Sequence, residues 1–291
     1  MVSALPDDLR EEYPFGSHWL EVPGGWQHYL DEGRGRPVVM VHGNPTWSYY
    51  FRHLVKSLSP ERRCIVPDHL GCGLSEKPVG FDYRLAGHIG NLERLLDHLK
   101  LEDFDLIVHD WGGPIGLGAA LRKPERLNRL VILNTAAFAS KRIPARIAFC
   151  RIPVLGEWVV RGLNGFAWPA TRMATVRGLR KEVRSHYLYP YGSWNERIAI
   201  ARFVQDIPRE ADHPSYPELK RIESGLEGLR EKPVRIFWGG RDFCFDRVFF
   251  EEWKERLPEA EATFYRDAGH YVLEDAHPEI TESIRHFLNA D

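Results

Sequence analysis

Val108-His109-Asp110-Trp111-Gly112-Gly113 follows the apolar run Phe104–Val108 and leads into the Gly- and Ala-rich stretch Pro114–Leu121. A buried strand that turns sharply into a helix exposes the residue at the turn and needs small neighbours beside it, and Gly112 and Gly113 supply them on one side. The exposed residue is then Asp110. An Asp before a helix can be no more than its cap, so the rest of the chain must decide whether this carboxylate is chemical.

Outward from this elbow the same rhythm repeats. Pro37–Val41 runs into His42-Gly43-Asn44-Pro45, Cys64–Pro67 into Asp68-His69-Leu70-Gly71, and Leu130–Leu133 into Asn134-Thr135. Val234–Trp238 runs into Gly239-Gly240-Arg241-Asp242, and Thr263–Tyr265 into Asp267-Ala268-Gly269-His270. These runs are continuous rather than alternating, the pattern of strands buried on both faces. Between them Leu85–Leu99 carries leucines at helical spacing. Strand and helix in alternation predict an α/β fold with a mostly parallel sheet flanked by helices. Pro23-Gly24-Gly25 predicts the turn of an early hairpin over Ser17–Tyr29. From Phe138 to Pro217 the rhythm fails, and a stretch with Trp158, Trp168, Trp194, Tyr187, Tyr189 and Tyr191 reads as an inserted helical cap. The expected organisation is a core of 1–137 and 218–291 with a cap of 138–217.

Composition narrows the function classes. With 43% hydrophobic and 27% charged residues the chain is ordinary for a globular protein. A formal net charge of -2 argues against a nucleic-acid partner. No apolar run nears the roughly 18 residues of a membrane span, and Asp7, Asp8, Glu11 and Glu12 make the first residues unlike a signal peptide. Cys64, Cys72, Cys150 and Cys244 lack metal-type spacing and read as reduced thiols of a cytoplasmic protein.

In open α/β sheets ligands sit beyond the carboxyl ends of the strands, so chemistry is sought just after each apolar run. His270 falls there after the last run, and Asp242 after the one before it. The order nucleophile, acid, histidine is that of hydrolases whose serine elbow reads G-x-S-x-G. Here Asp110 takes the serine position and Val108 the first glycine. The stretch Asn134-Thr135 offers no carboxylate to orient His270, and Asp246 reads better as a helix N-cap. Asn44 and Trp111 carry amide and indole N–H donors that could converge on an anion.

Asn44 within HGNPTW, the stretch PDHLGCGLSEKP, HDWGG and AGHY together resemble the haloalkane dehalogenases, over roughly residues 27–135 and 230–290. The resemblance implies an α/β-hydrolase fold with an eight-stranded sheet, Asp110 as nucleophile, His270 as base, Asp242 as the acid of the branch that places it after the later strand, and Asn44 and Trp111 as halide donors. VILNTAAF and PYGSWNERIAIARFVQDIP are especially similar to another group of that branch, the β-lactone decarboxylases of bacterial long-chain olefin biosynthesis. The expected activity is dehalogenation. Asp110 displaces halide from an sp3 carbon, and water activated by His270 hydrolyses the resulting ester to alcohol and halide. The alternative is decarboxylation of a cis-β-lactone to an olefin, which by resemblance also implies an assembly with other pathway enzymes. Either reaction needs a small apolar substrate, suits a Trp- and Tyr-rich cap, and requires no cofactor and no metal.

Three rivals follow from the residues. Serine esterases lack their nucleophile here, and fluoroacetate dehalogenases carry an arginine where Trp111 stands. Epoxide hydrolases use a pair of cap tyrosines, for which Tyr187, Tyr189 and Tyr191 are the candidates. A non-catalytic receptor on the same fold would have lost part of the triad, whereas Asp110, Asp242 and His270 are all present.

Overall fold

Each apolar run becomes a strand. The computed structural model describes residues 5–290. In chain order the elements are α1 (Asp7–Glu12), β1 (His18–Val22), β2 (Gly25–Glu32), β3 (Pro37–Val41), α2 (Arg52–Leu58), β4 (Arg63–Pro67), α3 (Leu85–His98), β5 (Phe104–His109), α4 (Gly112–Ala120) and β6 (Leu127–Leu133). Then come α5 (Ala145–Cys150), α6 (Leu155–Glu157), a π-helical turn (Trp158–Gly162), α7 (Ala167–Met173), α8 (Lys181–Leu188), α9 (Ile198–Gln205) and α10 (Tyr216–Gly225). The chain returns through β7 (Val234–Gly239), α11 (Arg247–Arg256), β8 (Glu261–Tyr265), α12 (Val272–Asp275) and α13 (Glu279–Asn289).

The eight strands form one sheet in the order β1-β2-β4-β3-β5-β6-β7-β8. β2 runs antiparallel to β1 and β4, and all other pairings are parallel. β5, central in the sheet, is buried at every residue, Asp105 and His109 included, as a strand covered on both faces requires. β8 is different: it lies at the edge, partly exposed, and includes Glu261 and Ala262, which the apolar pattern alone had not included. At the other edge Gly24 and Gly25 take φ of 107° and 151° to turn the β1–β2 hairpin.

Two apolar layers cover the two faces. Leu92, Leu95, Ile115 and Leu117 from α3 and α4 pack with Val39, Leu106 and Ile132. On the other face Leu54, Leu58, Ile284 and Leu288 from α2 and α13 pack with Val38, Ile107 and Val131. Asp246 caps α11 by accepting the Val248 N–H at 3.0 Å. The chain between β6 and β7 contains only helices and loops. No helix among the described residues is long and apolar enough to cross a membrane.

Candidate active site

The end of β5 sets the site. Asp110 has φ +51°, a left-handed value that lifts its side chain off the strand axis. Neighbouring atoms come so close that added Cβ atoms could not fit. At Gly112 one would stand 1.9 Å from the Val41 carbonyl oxygen, and at Gly43 one would stand 2.1 Å from Asp110 Oδ1. Val108, which replaces the first glycine of the serine elbow, fits because α4 offers Gly116 opposite it, where a Cβ would lie 2.8 Å from Val108 Cγ1.

Asp110 Oδ1 accepts the Asn44 backbone N–H at 2.6 Å. Its other oxygen, Oδ2, lies 3.6 Å from His270 Nε2. Burial raises the Asp110 pKa above the ordinary value, although His270 and the backbone N–H groups of Asn44 and Trp111 oppose that rise. The two N–H groups that face the carboxylate can equally hold an oxyanion formed from its ester.

His270 Nδ1 is 2.8 Å from Asp242 Oδ2. Burial, the largest influence on His270, would lower its pKa, but the Asp242 carboxylate and then Asp110 outweigh it and leave the pKa raised. His109 donates from Nε2 to the His270 carbonyl at 2.9 Å and so fixes that backbone. Asp242 takes two further hydrogen bonds, from the Cys244 N–H at 2.6 Å and from Asn134 Nδ2 at 2.9 Å. The structure thus brings Asp110, Asp242 and His270 together as one buried chain of contacts.

Asn134 is the residue that sequence reasoning passed over. The absence of a carboxylate at this position had removed it from consideration. In fact its amide clamps β7, since Oδ1 accepts the Gly239 N–H at 2.8 Å and Nδ2 donates to the Gly239 carbonyl at 3.1 Å. Its own carbonyl accepts the Asp110 N–H at 3.1 Å. One residue therefore couples the backbone of Asp110 to the carboxylate of Asp242. Its φ of +22°, unusual outside glycine, has no mark in the residue pattern.

Asn44 and Trp111 both line the cavity before Asp110. The Asn44 amide, expected to aim at the nucleophile, donates from Nδ2 to the Ile200 carbonyl of α9 at 3.3 Å, and its Oδ1 is buried without a partner. The Trp111 ring packs on Phe203 of α9, with centroids 5.1 Å apart.

The cavity has two lobes that share Asn44, Ile147, Phe166 and Cys244. The smaller, about 130 Å³, contains Asp110 and Trp111 and runs between Phe138, Ile207 and Phe249. The larger, about 490 Å³, contains His270 and runs between Val159, Met173 and Phe243. The loop after β7 serves both: Phe243 faces the larger lobe, Phe245 the smaller, and Cys244 stands where they divide. Both lobes are walled almost wholly by apolar side chains.

None of the tryptophans and tyrosines singled out in the 138–217 segment lines either lobe. Trp158 and Trp168 lie 63% and 48% exposed, on the outside. Tyr187 donates its hydroxyl to Glu274, and Tyr191 donates to the Thr46 carbonyl at 3.2 Å. Neither tyrosine, nor Tyr189, lines a lobe, so the ring-opening pair of an epoxide hydrolase is missing. Asp242, Cys244 and His270 stand close enough to share a cation. However, both Asp242 oxygens and His270 Nδ1 are committed to hydrogen bonds, and burial pushes the Cys244 thiol well up, which disfavours the thiolate a metal needs.

A profile of the alpha/beta hydrolase fold matches residues 36–277. The chain is 46% identical over 282 residues to a cis-3-alkyl-4-alkyloxetan-2-one decarboxylase of Shewanella oneidensis, covering 94% of this chain and 89% of that one. The same enzyme name belongs to a relative from Xanthomonas campestris pv. campestris, 44% identical with 95% and 97% covered. Haloalkane dehalogenase 2 of Mycobacterium tuberculosis is 32% identical, with 94% of each covered. Among solved structures, haloalkane dehalogenase DbeA from Bradyrhizobium elkani superposes with a TM-score of 0.85 at 24% identity, over 94% of this chain and 97% of that one, a likeness of fold.

Proposed function

The chain belongs to the α/β-hydrolase-fold family, and from that premise we propose that it decarboxylates cis-β-lactones bearing two alkyl chains, with Asp110 as nucleophile. The observation that carries this reading is the cavity, whose two apolar lobes divide at Asn44 and Cys244 directly before Asp110 and His270. A lactone ring at the division sends one chain along each lobe. The decarboxylase names of the relatives at 46% and 44% identity also specify two alkyl groups on a four-membered ring.

In this mechanism Asp110 Oδ2 attacks the sp3 ring carbon bonded to the ring oxygen. The C–O bond breaks, ring strain is released, and the electron pair leaves on a carboxylate. An alkyl ester on Asp110 results. The Asn44 amide, by rotating away from Ile200, and the Trp111 indole stabilise that carboxylate as it forms. The carboxylate then departs as CO2, its bonding pair becomes the C=C π bond, and Asp110 leaves with the ester's C–O pair. Inversion followed by anti elimination keeps the alkyl groups cis. Water is neither consumed nor released. Asp242 holds the His270 ring so that Nε2 faces Asp110, and the imidazolium pairs with the returning carboxylate. The segment 138–217 acts as the cap over the ring, and the four free thiols suit a cytoplasmic setting.

Haloalkane dehalogenation is the second reading, favoured by the Trp111 indole N–H, which donates to no described residue, and by the 32% identical relative. It uses the same displacement, but water activated by His270 must then hydrolyse the ester. The sequence motifs had placed this activity first, and the higher identity to the decarboxylases reverses that order. The direct test is a side-by-side assay of a dialkyl cis-β-lactone and 1-bromobutane. Cis alkene should form from the lactone, with bromide release slower. Fast bromide release with an inert lactone would establish the second reading instead.

The two activities should also differ in pH dependence. Hydrolysis of an ester needs neutral His270. Because the pKa of His270 is raised above 6.5, the protonated fraction grows as pH falls through that raised value. Bromide release should therefore decline on the acid side from above pH 6.5, while alkene release should lack that limb. A shared limb in both profiles would mean that the alkene reaction also needs a general base.

A further inference from the structure

The roof of the larger lobe is apolar on its outside as well as its inside. Eight of the twelve large apolar side chains exposed among the described residues fall between Phe149 and Val176. Val154, Trp158 and Leu163 are 72%, 63% and 79% exposed. Val154 is also held at φ +65°, a strained value for a β-branched residue, at the tip between α5 and α6. Nothing in the described chain covers these side chains.

Charge on and around the same segment is mainly positive. Residues 141–184 contain ten Lys and Arg against Glu157 and Glu182, in a chain whose formal net charge is -2. Arg142, Arg161 and Arg180 are paired with carboxylates. Arg146, Arg172, Arg177 and Lys181 form no ion pair with any described residue, and the Arg172 guanidinium lies 3.6 Å over the Trp168 ring. The apolar exterior is continuous with the cavity. Phe149 and Arg146 line the larger lobe and are also exposed, and α7 turns Ala170 and Met173 to the lobe, beside Phe166 before it, while Trp168 and Arg172 stay outside.

We propose that this face docks on an anionic phospholipid bilayer. Tryptophan and aliphatic tips enter the headgroup boundary, and the free arginines and lysines meet lipid phosphates, the arrangement by which interfacial segments hold a membrane surface. A protein partner would need carboxylates and apolar surface matched to these protruding side chains, whereas a bilayer accepts both features without matching. The docking stands on the exposed residues alone. Its use, passing chains between bilayer and larger lobe, rests on the proposed function.

The test uses the full chain with vesicles of phosphatidylcholine alone and of phosphatidylcholine mixed equally with phosphatidylglycerol. Flotation and tryptophan emission are the readouts. Capture and a blue shift are expected on the anionic vesicles only, weakened by about 0.5 M salt. Val154→Glu with Leu163→Glu, and separately Arg172→Glu with Arg177→Glu, should each weaken capture at least about tenfold. Turnover of a short-chain substrate should stay within about twofold, since none of the four residues lines a lobe. Failure of the anionic vesicles to capture the wild type, or equal capture of the variants, would overturn the proposal. So would a homo-oligomer that the same substitutions disperse while vesicles are ignored. Capture by a chain inert toward both lactone and bromoalkane would sink the proposed function and leave the docking standing. Turnover without capture would do the reverse.

Discussion

Asp110→Asn is expected to lower turnover of lactone and bromoalkane alike by about 10⁴-fold or more, the scale seen when a covalent nucleophile is removed. The amide oxygen is a poor nucleophile and carries no charge to expel a leaving group. The substitution is otherwise mild. Asn is among the few side chains that tolerate the φ of +51° found here. It also still offers an oxygen to the Asn44 N–H. The melting temperature should therefore shift little while activity disappears. Mass spectrometry must accompany the kinetics, because deamidation of the introduced amide would regenerate the wild type. Retention of more than about 1% of activity without deamidation would show that Asp110 is not the nucleophile. A receptor that merely used this fold would keep its function and change only affinity.

His270→Ala should split the two chemistries. With 1-bromobutane the first displacement remains possible, but no base then activates water, so steady-state turnover should fall by about 10³-fold or more. One equivalent of bromide should appear in a burst, and the Asp110 peptide should gain the mass of a butyl ester. With the lactone the ester breaks down by losing CO2 and needs no water. That rate should fall much less, by about ten- to a hundredfold, reflecting loss of the cation beside Asp110. Equal losses on both substrates without any adduct would count against a shared covalent intermediate.

The parts of the fold set by local pattern were legible in the sequence. Continuous apolar runs marked buried parallel strands because both faces of such a sheet are covered, and Pro37–Val41 matches β3 residue for residue. At the β8 edge, where one side meets solvent, the same reasoning saw only part of the strand. In the site, residue types with a chemistry of their own were visible: Asp110, Asp242, His270, Asn44 and Trp111. Asn134 was not, because its role depends on where β6 ends relative to Gly239 and Asp242, more than a hundred residues away. The lining of the cavity was not legible either. Aromatic content placed tryptophan and tyrosine in the 138–217 segment, but composition does not say which face of a short helix turns inward. The lobes are lined mainly by phenylalanines and aliphatic residues, two of them, Phe243 and Phe245, from the loop after β7 outside that segment.

The central claim, that Asp110 opens a lactone whose ester collapses without water, can be tested by turnover of the dialkyl cis-β-lactone in H2¹⁸O followed by mass analysis of the Asp110 peptide. In the proposed mechanism Asp110 keeps its own two oxygens, since the ester breaks at its alkyl C–O bond. The peptide should remain unlabelled after many turnovers, with alkene and CO2 as products. Turnover of 1-bromobutane, in which water attacks the ester carbonyl, should by contrast label it. ¹⁸O in Asp110 after lactone turnover, accompanied by a β-hydroxy acid, would contradict the account and define the protein as a hydrolase of that ring.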